Sequence, residues 1–232
     1  MTNMGIKALI LEGHPADPDV PWWVLHLRQQ GARFDPADGL VGLGVHEAAA
    51  QLRRQYGERV AIALIGPAGE MRLSAAGIQN LDKEGVPSRI AARGGLGAVL
   101  GAKHVKAIVV DDTGGRKPPL ADPAAFKAAQ KRFTKNTLEH PQTKVYQGYG
   151  TNAMVMTTNA LGGLPTRNFA SGRFEGAEQI SGEALRDVIL GRGGKGETTH
   201  ACMPGCVIQC STSSRTPTGR SSRRPSSMRR SA

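Results

Sequence analysis

The stretch from Ser88 to Lys106, SRIAARGGLGAVLGAKHVK, constrains this chain more than any other. Gly94, Gly95 and Gly97 stand together ahead of an apolar run, Val105 to Val110 (VKAIVV), which ends at Asp111-Asp112. A short apolar run bounded by turn residues predicts a strand. The glycines before it predict a tight turn opening a short helix, because residues without a Cβ let the backbone approach a ligand closely. N–H groups at a helix start can hold phosphate oxygens. Arg89 and Arg93 flank the turn and offer forked donors to the same anion. The stretch therefore reads either as a contact for an anionic, phosphate-bearing cofactor or as a structural glycine turn. Two other glycine signatures do not fit. G-x-G-x-x-G would need glycine at 100, where Leu100 stands, and Gly194-Lys195 is followed by Gly196 instead of Ser or Thr.

Around this stretch the chain reads as strands first and helices later. Lys7 to Glu12 (KALILE), Trp22 to Leu27, Ala32 to Phe34 and Val60 to Ile65 are strand candidates, the middle two forming a hairpin around Gln29-Gln30-Gly31. Val45 to Tyr56 is helical, with Val45, Ala48, Ala49 and Leu52 on one face and Gly57 as a stop. Ile65-Gly-Pro-Ala-Gly69 after a strand is, by itself, a glycine turn. Beyond Pro118-Pro119, Asp122-Pro123 is an N-cap with proline at the first helical position, opening a helix to about His140. Asn152 to Ala160 and Glu183 to Leu190 are further helices, the last capped by Ser181. The fold expected is α+β, a mixed β-sheet base leading into a helical segment.

The three cysteines lie at 202, 206 and 210, within HACMPGCVIQC (His200 to Cys210). Such clustering is not a disulfide framework and points to a reducing cytoplasm. C-x3-C-x3-C in a Gly/Pro-containing loop suits an iron–sulfur cluster, which takes four cysteines. Zinc would prefer C-x2-C pairs or histidines. His200 could serve as a fourth ligand, but reads more readily as a group supporting the ligands or as a surface group. Neither a secretory leader nor an apolar run long enough to cross a membrane is present, so no membrane partner is expected.

The net charge of +11 invites a nucleic-acid reading. Residues 211–232 carry six arginines and no acid, while the rest holds 24 basic and 19 acidic residues, so the body is only mildly basic. Eight Ser, three Thr and two Pro in the same stretch read as a disordered basic tail. GC-rich codons for it, shifted by one base, can encode an acidic turn followed by an apolar strand. A frameshift after about Cys210 is the explanation expected for it.

Taken in order, RGGLGAVLGAKHVKAIVV (Arg93 to Val110), the earlier IGPAGE (Ile65 to Glu70), PTRNF (Pro165 to Phe169), GRFEGAEQISGEAL (Gly172 to Leu185) and the cysteine loop resemble the aldehyde ferredoxin oxidoreductase family, over residues 5–210. The resemblance implies a tungsten or molybdenum ion held by two pterin dithiolenes, a nearby 4Fe-4S cluster, and oxidation of aldehydes or related substrates. Electrons would leave for ferredoxin or another carrier, and the intact protein would be a homodimer. Carried over residue by residue, it makes Arg89, Ala92, Arg93, Gly94, Gly95 and Gly97 pterin and phosphate contacts. Cys202, Cys206 and Cys210 become cluster ligands, the fourth being absent from this chain.

The domains then expected are an N-terminally incomplete pterin-binding domain (5–115), a helical continuation (116–197), the cysteine loop (198–210) and the tail (211–232). The family spacing is C-x2-C-x3-C, so the extra residue here marks a divergent subgroup and leaves the substrate open. The family also extends well beyond both ends of this sequence, and the chain alone is expected to be inactive. Rival readings are an iron–sulfur electron carrier without pterin, or a basic nucleic-acid-binding protein. Neither needs the glycines between 65 and 110.

Overall fold

The computed structural model describes residues 1–17, 19–193 and 196–213, and the chain divides into two units between Ala121 and Asp122. The first unit is built on a six-stranded mixed sheet. Its elements in chain order are β1 (Trp23–Arg28), β2 (Gly31–Pro36), α1 (Val45–Tyr56), β3 (Ala61–Leu64), α2 (Pro67–Glu70), β4 (Ile78–Asn80), β5 (Arg89–Ala91), α3 (Leu96–Ala102) and β6 (Val105–Val110). The spatial order is β2-β1-β6-β3-β4-β5.

β1 and β2 form the expected hairpin, closing at the pair Arg28 and Gly31, where Gly31 takes a φ of 131°. β6 runs parallel to β1 and antiparallel to β3. With a neighbour on each side it is central, which is why VKAIVV is almost continuously apolar. Val24, Ile62, Leu64, Ala107 and Val109 pack with Ala48, Ala49 and Leu52, the stripe predicted on α1. A smaller cluster of Ile65, Leu100 and Val105 ties α3 to the sheet.

Lys7–Glu12 departs from expectation. It forms no strand among the described residues, and Ile10 is 78% exposed. Both sides of β1 are taken, by β2 and β6, so this apolar run has no free ladder beside β1.

The second unit holds α4 (Pro123–Glu139), α5 (Pro141–Tyr149), α6 (Val155–Ala160), α7 (Gly182–Arg192) and a small ribbon of β7 (Glu197–His200) with β8 (Ser211–Ser213). The caps are those the sequence announced. Asp122 Oδ1 accepts from the Ala125 N–H at 2.9 Å, and Ser181 Oγ accepts from the Ala184 N–H at 3.2 Å. Pro141 ends α4, because the residue before a proline is steered away from helical backbone; His140 there has ψ 130°. The helix expected from Asn152 splits into a 3-10 turn, Thr151–Met154, followed by α6. Residues 211–213, expected to open the disordered tail, form β8 instead. The remainder of that expectation, 214–232, lies outside the described residues.

Candidate cofactor segment and cysteine loop

The approach to the glycine turn is organised by one carboxylate. Asp82 accepts from the N–H groups of Glu84 (3.0 Å) and Val86 (2.9 Å) and from Ser88 Oγ (2.6 Å). Burial pushes its pKa up. The Ser88 hydroxyl, the Val86 and Glu84 amides and the Arg89 guanidinium outweigh that and hold it below the usual carboxylate value. The sign follows: the stabilisation is complete above the unfolded-state pKa, about 4, and is lost as pH falls through the lower folded-state value. Asp82→Asn is expected to cost ~1 kcal/mol near neutral pH and to flatten the acid limb of the stability curve. Urea titrations from pH 7 down to 2 check this; an acid limb identical to wild type would refute it.

This turn delivers β5, which pairs with β4 (Asn80 with Arg89, Ile78 with Ala91). Ala92 follows, then a 3-10 turn, Arg93–Gly95, and then α3. Gly94 and Gly95 have φ of 84° and 66°, backbone that residues with a Cβ rarely adopt. The candidate residues divide by environment. Ala92, Arg93 and Gly94 are exposed side by side, and nothing lies within 4 Å of where a Gly94 Cβ would stand. Gly95 lies against the Ser74 carbonyl. Gly97 is buried; its N–H donates to Ala76 O at 2.9 Å, and a Cβ there would stand 2.5 Å from Gly77 O. Gly95 and Gly97 thus bring backbones together, while Gly94 leaves a backbone open to approach from outside. Arg89 is half-buried on β5.

Sequence reasoning missed the support beneath this turn. α2 and α3 pack backbone on backbone: a Cβ on Gly101 would fall well inside contact distance of the Gly69 carbonyl oxygen, and a Cβ on Gly69 would stand 2.7 Å from Ile65 Cβ. α2 is anchored by a buried ion pair between Glu70 and Lys106, the latter wholly inaccessible on β6. Lys106 Nζ also donates to Leu43 O at 3.3 Å, and Glu70 Oε2 accepts from the Gly42 N–H at 2.9 Å. The available signals were the small-x3-small spacing of Gly97 and Gly101 and a lone lysine inside an apolar strand.

In the second unit, β7 and β8 hold the ends of the cysteine loop. Cys210 O accepts from Thr151 N at 2.9 Å and from Thr151 Oγ1 at 3.1 Å. Val207 O accepts from Gln147 Nε2 at 3.0 Å, so the loop is tied to the C-terminal end of α5. Cys202, Cys206 and Cys210 are all free thiols and partly accessible. Their soft donors suit iron. Among the described residues, however, no three Cys, His, Asp or Glu side chains converge as a metal-ligand set. Nor is any described helix long and apolar enough to cross a membrane.

The chain belongs to the aldehyde ferredoxin oxidoreductase family. The family model for the aldehyde ferredoxin oxidoreductase N-terminal domain matches residues 1–112, and that for domains 2 & 3 matches residues 128–229. The second match continues past Cys210 into the stretch read as out of frame.

The chain is 33% identical over 207 residues to the tungsten-containing aldehyde ferredoxin oxidoreductase of Pyrococcus furiosus, and 33% identical over 204 residues to that of Thermococcus kodakarensis. Each alignment covers 87% of this chain and 31% of the relative, so the chain spans under a third of their length. The fold is also like that of the active-site complex BamBC of benzoyl-coenzyme A reductase in complex with 1,5-dienoyl-CoA. The TM-score is 0.56 at 22% identity, covering 83% of this chain and 29% of the other. That likeness supports the mixed-sheet fold class.

Proposed function

We propose that the chain contributes part of a pterin-phosphate site, and three thiolate ligands of a 4Fe-4S cluster, to a tungsten- or molybdenum-dependent oxidoreductase. The observation that carries this reading is the open backbone at Gly94 beside the exposed Arg93, at the head of α3. Arg93 would donate its forked N–H groups to a phosphate, and the missing Cβ at Gly94 would let the cofactor close on the main chain. Ala92 adds a small side chain at the same surface. Arg89 steadies the Asp82 turn and keeps a second positive charge near. Cys202, Cys206 and Cys210 would hold iron as thiolates, with the fourth ligand from elsewhere in the intact protein.

When bound, the metal–pterin group would supply two-electron oxidation of an aldehyde-like substrate, and a cluster on these thiolates would supply a route for electrons toward ferredoxin or another carrier. Support comes from the relatives, whose names state tungsten, aldehyde and ferredoxin.

Metal and pterin affinity both depend on a complete, preorganised ligand shell. The purified chain is therefore expected to contain little tungsten or molybdenum, and stoichiometric amounts by elemental analysis would contradict this. Titration of the chain with a pterin phosphate tests the contact itself: Arg93→Ala should weaken binding about tenfold, and equal affinity would reject the site. Anaerobic reconstitution with iron and sulfide tests the thiols, Cys206→Ser being expected to lower bound iron about tenfold.

A further inference from the structure

We propose a second anion site, beyond the reading above, in the cavity where α2 and α3 end: Arg72, His104 and His14 together take a phosphate group that retains a proton. The cavity is about 470 Å³ and is lined by His14, Pro15, Ala16, Arg72, Ala102 and His104. Of the six described residues that line it, three carry cationic or imidazole groups, and none is acidic. Among the described residues no carboxylate pairs with Arg72.

Arg72 and His104 are there because both helices end the same way. Each has left-handed backbone, φ 56° and 52°, in the position after a helix where glycine sits without strain. Each N–H donates back to its own helix, Arg72 to Gly69 O at 2.9 Å and His104 to Gly101 O at 3.0 Å. The helix-end carbonyls are thus engaged, and the side chains are what the cavity meets. A strained conformation kept by two long polar residues, both turned to one cavity, motivates a functional reading.

The ring chemistry selects the ligand. His104 Nδ1 lies 3.1 Å from Val20 O, and His14 Nδ1 lies 3.1 Å from Pro15 O. A carbonyl only accepts, so both Nδ1 atoms carry a proton, and Nε2 is the nitrogen left for the cavity. The His104 ring is further fixed by stacking on Trp22, with centroids 4.7 Å apart and planes 6° from parallel. With Nδ1 donating to a carbonyl, Nε2 in the neutral tautomer offers an acceptor, while Arg72 offers a fork of donors. The complementary ligand accepts from the guanidinium and donates its own hydroxyl to a ring nitrogen. Monohydrogen phosphate, or the monoprotonated phosphate of an organic monoester, does both; sulfate, which has lost its protons, can do only the first. Gly94 lies before α3 and His104 beyond its other end, so this cavity is separate from the proposed pterin contact.

The test is the melting temperature of the full chain in inorganic phosphate, phenyl phosphate and sulfate at matched ionic strength. Near neutral pH inorganic phosphate keeps a proton, whereas phenyl phosphate, with a second pKa of about 6, has largely lost its own, so inorganic phosphate should raise the melting temperature more than sulfate does. A phenyl phosphate response that grows as the pH is lowered toward about 6 identifies the phosphate end of an organic ligand as the source; a response confined to inorganic phosphate identifies free phosphate. Arg72→Gly removes the fork and relieves the left-handed backbone. It should fold at least as stably as wild type without ligand, yet bind phosphate about tenfold more weakly. Arg93→Ala should keep the preference for inorganic phosphate over sulfate. Equal protection by sulfate, or an undiminished response in Arg72→Gly, overturns the site. Loss of the preference in Arg93→Ala instead moves phosphate to the glycine turn, which rejects this cavity and leaves the pterin reading standing.

Discussion

Alanine at position 101 is expected to destabilise the N-terminal unit by about 3 kcal/mol, the upper end of what overpacking usually costs. The added methyl would meet the Gly69 carbonyl oxygen, a backbone atom that cannot rotate away. Nor can α2 retreat as a whole. Glu70 is held by Lys106 and Gly42, and Gly69 is closed in by the Ile65 side chain. On the other side, Leu100 is buried against Ile65 and Val105. Gly191 on α7 is the control, since nothing lies within 4 Å of a Cβ there. Gly191→Ala should raise stability by ~0.5–1 kcal/mol through helix propensity alone. Urea unfolding of both variants decides it. Equal and small effects would mean that the two backbones are not in the close contact described.

Lys106→Met should cost about 3–5 kcal/mol, because it leaves Glu70 buried without its counter-charge. Lys106 is wholly buried, and the Glu70 side chain is only 9% accessible, so water cannot substitute for the lost partner. The double variant Lys106→Met with Glu70→Gln should recover much of that loss. It removes the orphaned charge and keeps an oxygen to accept from the Gly42 N–H. A double-mutant cycle in urea measures this; a double variant no better than the single would mean that the lysine acts by its volume alone. Because α2 braces α3, Lys106→Met should also loosen the Arg93–Gly95 turn.

Much of the fold was legible because local chemistry and tertiary demand agree in it. VKAIVV is apolar at nearly every position because strands flank it on both sides. The Val45–Leu52 stripe is what a helix laid on a sheet requires. Asp122-Pro123 and Ser181 announce helix starts through bonds that close within one turn. Lys7–Glu12 misled, because an apolar run states a preference for burial and says nothing about a free partner strand. The candidate site was legible only as residue types. That Gly94 faces outward while Gly95 and Gly97 serve packing depends on Ser74, Ala76 and Gly77, residues that approach from the loop before β4. The Glu70–Lys106 pair joins positions 36 residues apart, and no local pattern marks either as the other's partner.

α4 runs for 17 residues with none buried. A helix with no buried residue, capped at its N-terminus, packed lightly on α5 among the described residues and carrying a surface ion pair between Lys135 and Glu139, owes little to the cooperative unfolding of the protein around it. Its amide protons should therefore exchange with deuterium through local opening, orders of magnitude faster than those of β6, and independently of denaturant at low concentrations. Global stability measurements on this chain will report on the sheet and be almost blind to that helix.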